Sequence, residues 1–118
     1  MVVEMLDKTI EVSMLYDYYG KLLTDKQKEV IELYFYQDLS LGEIADNLDI
    51  SRQGVYDHLH RAEDTLKKYE DKLQLVARNK KNIIIVNELI DFLDDNQDID
   101  QKTKSFLLKK LKEMNKNI

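Results

Sequence analysis

Six side chains within ten residues, Arg52, Gln53, Tyr56, Asp57, His60 and Arg61, carry the hydrogen-bonding chemistry that reads base edges and phosphates. A glutamine amide offers a paired donor and acceptor that suits an adenine edge. An aspartate accepts from a cytosine amine, and an arginine reaches a guanine edge or a phosphate. With Val55, Leu59 and Ala62 as the buried direction of a helix, successive residues turn by about 100°. Gln53, Asp57 and His60 then point outward, Tyr56 and Arg61 lie on the shoulders, and Arg52 sits nearer the core side at the first turn. The same window offers little to an enzyme. His58 and His60, the only histidines, diverge by about 200° on a helix and cannot share a metal. No nucleophile–base–orienter set and no glycine-rich phosphate loop occur, so no reaction and no cofactor is expected.

An outward row of this kind requires a helix fixed at its start and backed by a core. Residues 41–62, LGEIADNLDISRQGVYDHLHRA, supply both. Ser40 followed by Glu43 is a capping box at the start of one short helix. Ile44, Ala45 and Leu48 form its buried stripe, and small Ala45 allows a steep helix crossing. Asp49, a residue type that tolerates the left-handed backbone, ends it. Ile50 returns to the core and Ser51 caps the second helix. The spacing predicts a helix-turn-helix, with Ser51, Arg52, Gln53, Tyr56, Asp57, His60 and Arg61 as the candidate DNA-binding set. Lys26 and Lys28 add phosphate contacts from the preceding helix.

Residues 22–62, LLTDKQKEVIELYFYQDLSLGEIADNLDISRQGVYDHLHRA, resemble region four of bacterial sigma factors, the part that reads an upstream promoter element. The whole chain, including SRQGVYD at residues 51–57 and the helix after it, resembles the YlxM-type family of small bacterial helix-turn-helix proteins. That resemblance implies an all-helical fold and a link to the signal recognition particle pathway, through its GTPase or its RNA. The chain departs from sigma factors in lacking a second DNA-reading region and in having Asp49 where the turn glycine is usual.

Composition agrees with an all-α protein. The 118 residues contain no proline, no cysteine and three glycines, which excludes disulfides and thiolate metal sites. No signal peptide and no long apolar run occur, so a cytoplasmic protein without membrane insertion is expected. The net charge is −5. Residues 1–62 hold six Lys/Arg against twelve Asp/Glu, while the remainder holds twelve against eleven. DNA affinity comes largely from phosphate neutralisation, so the acidic half predicts weak binding by one copy and favours a dimer that doubles the contacts.

Around the motif, residues 5–19 read as an apolar-faced helix with Leu6, Ile10 and Met14 in one row, Val12, Leu15 and Tyr19 beside it, and Gly20 as its C-terminal cap. Thr24 and Gln27 form a second capping box, opening a helix to about Gln37. Val55, Leu59, Ala62, Leu66, Tyr69, Leu73 and Val76 keep heptad spacing and predict one helix to about Arg78. Residues 79–82 read as a turn, 83–93 as a helix despite four β-branched residues in a row, 94–100 as an acidic loop and 102–114 as a last helix. The expected organisation is a wingless helix-turn-helix domain at 1–78 and a helical extension at 79–118. A symmetric homodimer would use the seam Leu66–Tyr69–Leu73–Val76 together with the apolar run that follows. Three functions fit: a DNA-binding transcriptional regulator, an accessory factor of the signal recognition particle pathway, and an interaction module of sigma-like fold.

Overall fold

A computed structural model describes residues 2–117, with side chains from 7 to 116. The protein is all-α, with no strand among the described residues. The helices are α1 (Val2–Tyr19), α2 (Asp25–Ile31), α3 (Leu41–Leu48), α4 (Arg52–Leu73), α5 (Leu75–Asp95) and α6 (Gln101–Asn117). A 3-10 turn, Gly20–Leu22, links α1 to α2, and α2 widens into a π-helical segment, Glu32–Tyr36. By contacts the chain divides into two compact units, Met1–Val76 and Ala77–Ile118.

The first unit is built around α4, which packs against α1, α2 and α3. Val30, Ile31, Ile44, Val55, Ala62 and Leu66 are wholly buried in one cluster with Val12, Leu15 and Tyr19 of α1. Thr24 and Gln27 form the expected capping box, as do Ser40 and Glu43. Each satisfies two amides that a helix start leaves without partners. Glu63 is a buried carboxylate on α4, met at 3.3 Å by Lys8 of α1.

Five expectations require correction. In α1 the buried row is Val12, Leu15 and Tyr19, whereas Ile10 is 54% exposed; Leu6 lies outside the described side chains. Gly20 is not a left-handed cap, since no glycine has positive φ among the described residues. It is needed because Tyr16 packs on it, where a Cβ would stand 3.1 Å from the ring. The long helix ends at Leu73, because Gln74 is left-handed (φ 57°, ψ 30°). The α5 helix starts at once, so residues 79–82 are helical instead of a turn. Finally, the heptad seam is not free for a partner. Leu66 and Val76 are buried within the first unit, Tyr69 stacks on Tyr19 at 6.0 Å, and Leu73 is left exposed at the break.

The second unit comprises α5 from Ala77 onward and α6. Asn96 Oδ1 accepts from the Asp98 amide at 2.9 Å in the connecting loop, and Asp100 Oδ2 accepts from the Thr103 amide at 3.1 Å. Residues 94 and 95 complete α5, so the expected acidic loop shortens to residues 96–100, an Asx turn followed by a helix cap. The bonds to Thr103 hold the Asp100 carboxyl below its ordinary value.

Candidate nucleic-acid interface

The α3–turn–α4 unit is held at each joint by local chemistry. Ser40 Oγ accepts from the Glu43 amide at 3.1 Å, and the Ser40 amide donates back to Glu43 at 3.2 Å. Ile44 and Ala45 turn inward, leaving Asp46 and Asn47 exposed. Asp49 takes φ 55°, ψ 47°, and both its amide and that of Ile50 donate to the Ala45 carbonyl. This Schellman-type ending reverses the chain without glycine. Ser51 Oγ then accepts from the Gly54 amide at 2.9 Å and starts α4.

Along α4, Val55, Leu59 and Ala62 are buried, while Gln53, Asp57 and His60 are exposed on the far side. The exposed side chains are tied in pairs one turn apart. Gln53 Nε2 donates to Asp57 Oδ1 at 3.0 Å, and the Tyr56 hydroxyl meets His60 Nε2 at 3.1 Å with ring centroids 4.8 Å apart. Arg61 is exposed, with its carbonyl accepting from the Thr65 hydroxyl at 2.7 Å.

Arg52 lies over the first turn of α3. A Cβ added to Gly42 would stand 2.9 Å from a guanidinium nitrogen, so the absent side chain at Gly42 is what lets Arg52 lie there. Sequence reading missed this role. The available signal was a glycine inside a helix, where it costs about 1 kcal/mol relative to alanine and implies a close approach.

The two lysines of α2 do not share one face. Lys26 and Lys28 are two apart on α2 and diverge by about 200°. Lys26 pairs with Glu29 at 3.8 Å, both exposed, and Lys28 lines a groove with Tyr16, Gly20 and Glu32. Asp64 continues the outward row one turn beyond His60. Behind the motif, a cleft of about 330 Å³ is lined by Lys8, Thr9, Tyr34, Asp38, Ser40 and Glu43 among others. Among the described residues no group of His, Asp and Glu is arranged to hold a metal ion.

This geometry agrees with what comparison of the chain finds. Residues 6–106 match the family described as "Putative helix-turn-helix protein, YlxM / p13 like". The chain belongs to this family. It is similar to a "UPF0122 protein" of Caldanaerobacter subterraneus subsp. tengcongensis, 57% identical over 77 residues, 65% of this chain and 66% of the relative. A relative in Halalkalibacterium halodurans is 47% identical over 90 residues, covering 76% of this chain and 83% of its own. One in Bacillus mycoides is 42% identical over 100 residues, covering 85% and 91%. Among the described residues of this YlxM/p13-like chain, no helix is long and apolar enough to cross a membrane.

Proposed function

We propose that this chain is a small cytoplasmic DNA-binding regulator that lays the first turns of α4 in a major groove. The observation that carries this reading is a polar row, Gln53, Asp57 and His60, standing opposite a fully buried stripe on a helix entered through a tight, capped turn. Ser51 fixes the start of the helix. Arg52, lying along α3, reaches a phosphate beside the entry point or a guanine edge. Gln53 and Asp57 face the bases as a linked pair, and Tyr56 and His60 form a second pair on one shoulder. Arg61, Lys26 and Lys28 contact the backbone. The protein acts without catalysis or cofactor and as a homodimer, because two copies present two α4 helices to half-sites one turn of DNA apart, about 34 Å.

One observation favours a second reading. The net charge of −6 over residues 1–62, with Asp57 and Asp64 in the outward row, repels phosphates and suits a basic partner. In that reading the chain is an accessory factor of the signal recognition particle pathway, binding its GTPase or its RNA.

Fluorescence polarisation against duplex DNA and against the particle's RNA, each across a salt series, separates the two. DNA recognition predicts duplex binding that weakens linearly in log salt and is lost progressively in Arg52→Ala and Gln53→Ala. If both variants bind duplex DNA as the parent does at low and moderate salt, α4 does not read DNA.

A further inference from the structure

The second unit, Ala77–Ile118, buries only two apolar side chains among its described residues, Val86 and Leu93. At this size, close to the limit of about 40 residues below which a hydrophobic core of its own rarely suffices, a unit gains from a partner. Its two helices run antiparallel through a short loop, joined by Asn115 Nδ2 donating to Asn87 Oδ1 at 2.8 Å and Lys104 Nζ donating to the Asp94 carbonyl at 3.2 Å.

Each helix carries a second apolar row beside the one turned inward. On α5 this row is Ile85, Leu89 and Phe92, at spacings of four and three, and these are 46%, 47% and 61% exposed. On α6 it is Leu107, Leu111 and Met114, at the same spacings, with Leu107 38% and Met114 53% exposed. At about 100° per residue both rows lie on the same rotational side of the inward-facing residues. Because the helices are antiparallel, that puts the two rows on one face of the hairpin. The Asn87–Asn115 pair brings Leu89 level with the stretch between Leu111 and Met114. Asn87 and Asp94 fall on the opposite face.

We propose that this face is the dimer interface: a second copy of the hairpin closes it into an antiparallel four-helix bundle. Half a bundle with one open apolar face is completed by its own kind, since an isologous contact needs only a self-complementary surface. Charge supplies that complementarity. The α6 helix holds six lysines against one glutamate, and residues 88–100 hold six acids and no base. Glu88 and Asp95 border the apolar row on α5, and Lys110 borders it on α6. A two-fold axis parallel to the helices sets α5 of one copy against α6 of the other, so Lys110 meets Glu88 and Asp95. The alternative axis sets α6 against α6 and lysine against lysine. The pairing deepens the dimer in the proposed function and is measured without DNA, so failure of DNA recognition leaves it standing and the reverse.

The test is sedimentation equilibrium of the full chain at micromolar concentration, with helicity followed by circular dichroism. The parent should sediment as two chains. Leu89→Lys and Leu107→Lys should weaken association by at least about tenfold, the loss of one anchor of a packed interface. Ile84→Lys, off this face and 59% exposed, should stay dimeric. Lys110→Glu should weaken the dimer, and adding Glu88→Lys should restore it; this swap of exposed residues decides the matter even if a lysine in the apolar row unfolds the hairpin. A parent monomer at high micromolar concentration would leave the face to a different protein and overturn the pairing. A dimer indifferent to the face substitutions, or a charge swap without rescue, would do the same.

Discussion

The Tyr19 hydroxyl donates to Glu70 at 2.5 Å, tying α1 to α4 across 51 positions of sequence. The pair also caps α5: the Leu75 amide donates to the Tyr19 oxygen at 3.2 Å and the Val76 amide to Glu70 Oε1 at 3.1 Å. A helix start normally leaves such amides without partners, and here side chains from two other helices supply them. That is why α4 can break at Gln74 and α5 can begin at the next residue.

Removing the hydroxyl should therefore be costly. Tyr19 is 1% exposed and its hydroxyl serves Glu70 and the Leu75 amide in part-buried bonds, so Tyr19→Phe leaves these groups short of a partner, at about 1–3 kcal/mol. Urea titration should show the midpoint lowered with the slope unchanged. An unaltered midpoint would mean the amides of α5 are satisfied some other way.

Tyr16 makes the stability pH-dependent at the alkaline end. Burial, and then the Glu32 carboxylate that accepts its hydroxyl at 2.6 Å, push its pKa from 10.0 up to about 12. The folded state thus holds a proton that the unfolded chain releases. The stabilisation is complete below pH 10.0 and is lost as pH rises towards about 12. Melting curves of Tyr16→Phe across that window should fall less steeply than those of the parent. Tyr19, raised by burial and Glu70, keeps some slope in the variant.

Much of this was legible in the sequence because it is written locally. Thr24, Ser40 and Ser51 each sit three residues before the amide they cap, and Asp49 marks the turn by its own backbone tolerance. Apolar spacing identified Ile44, Val55, Leu59 and Ala62 as core. What escaped was settled by partners distant in sequence. Spacing alone continued α4 through Gln74, because the amides that make a break tolerable there are satisfied by Tyr19 and Glu70. Ile10 fits the apolar periodicity of α1 as well as Val12 does, and only the position of α4 decides which is covered. At the candidate interface, helical geometry gave the outward row, but neither the pairing of Gln53 with Asp57 nor the seat of Arg52 over Gly42 follows from residue type.

That seat can be tested apart from stability. Gly42→Ala should hold or raise the thermal midpoint, because alanine is favoured over glycine in a helix by about 1 kcal/mol. Its Cβ must nonetheless displace the Arg52 guanidinium from 2.9 Å. If Arg52 is positioned there to meet DNA, duplex affinity should drop while the fold becomes no weaker. Equal affinity in parent and variant would reduce Gly42 to a packing detail.

The pairing of Gln53 with Asp57 gives the most direct test of α4 as a reading helix. Asp57 takes one Gln53 donor at 3.0 Å and is itself repelled by phosphates. Asp57→Ala removes the repulsion and frees the amide, so non-specific duplex binding should tighten. Gln53→Ala removes the donor–acceptor pair instead, and should relax preference at one base pair by roughly 1–3 kcal/mol. Arg61→Ala should weaken all sequences alike and lower the salt dependence by about one phosphate contact. Competition binding with a randomised duplex pool resolves the three effects. If Asp57→Ala weakens duplex binding uniformly, the aspartate supports the fold of the helix and does not face a groove. If Gln53→Ala shifts no base preference while Asp57→Ala weakens a protein complex, the outward row belongs to a protein partner.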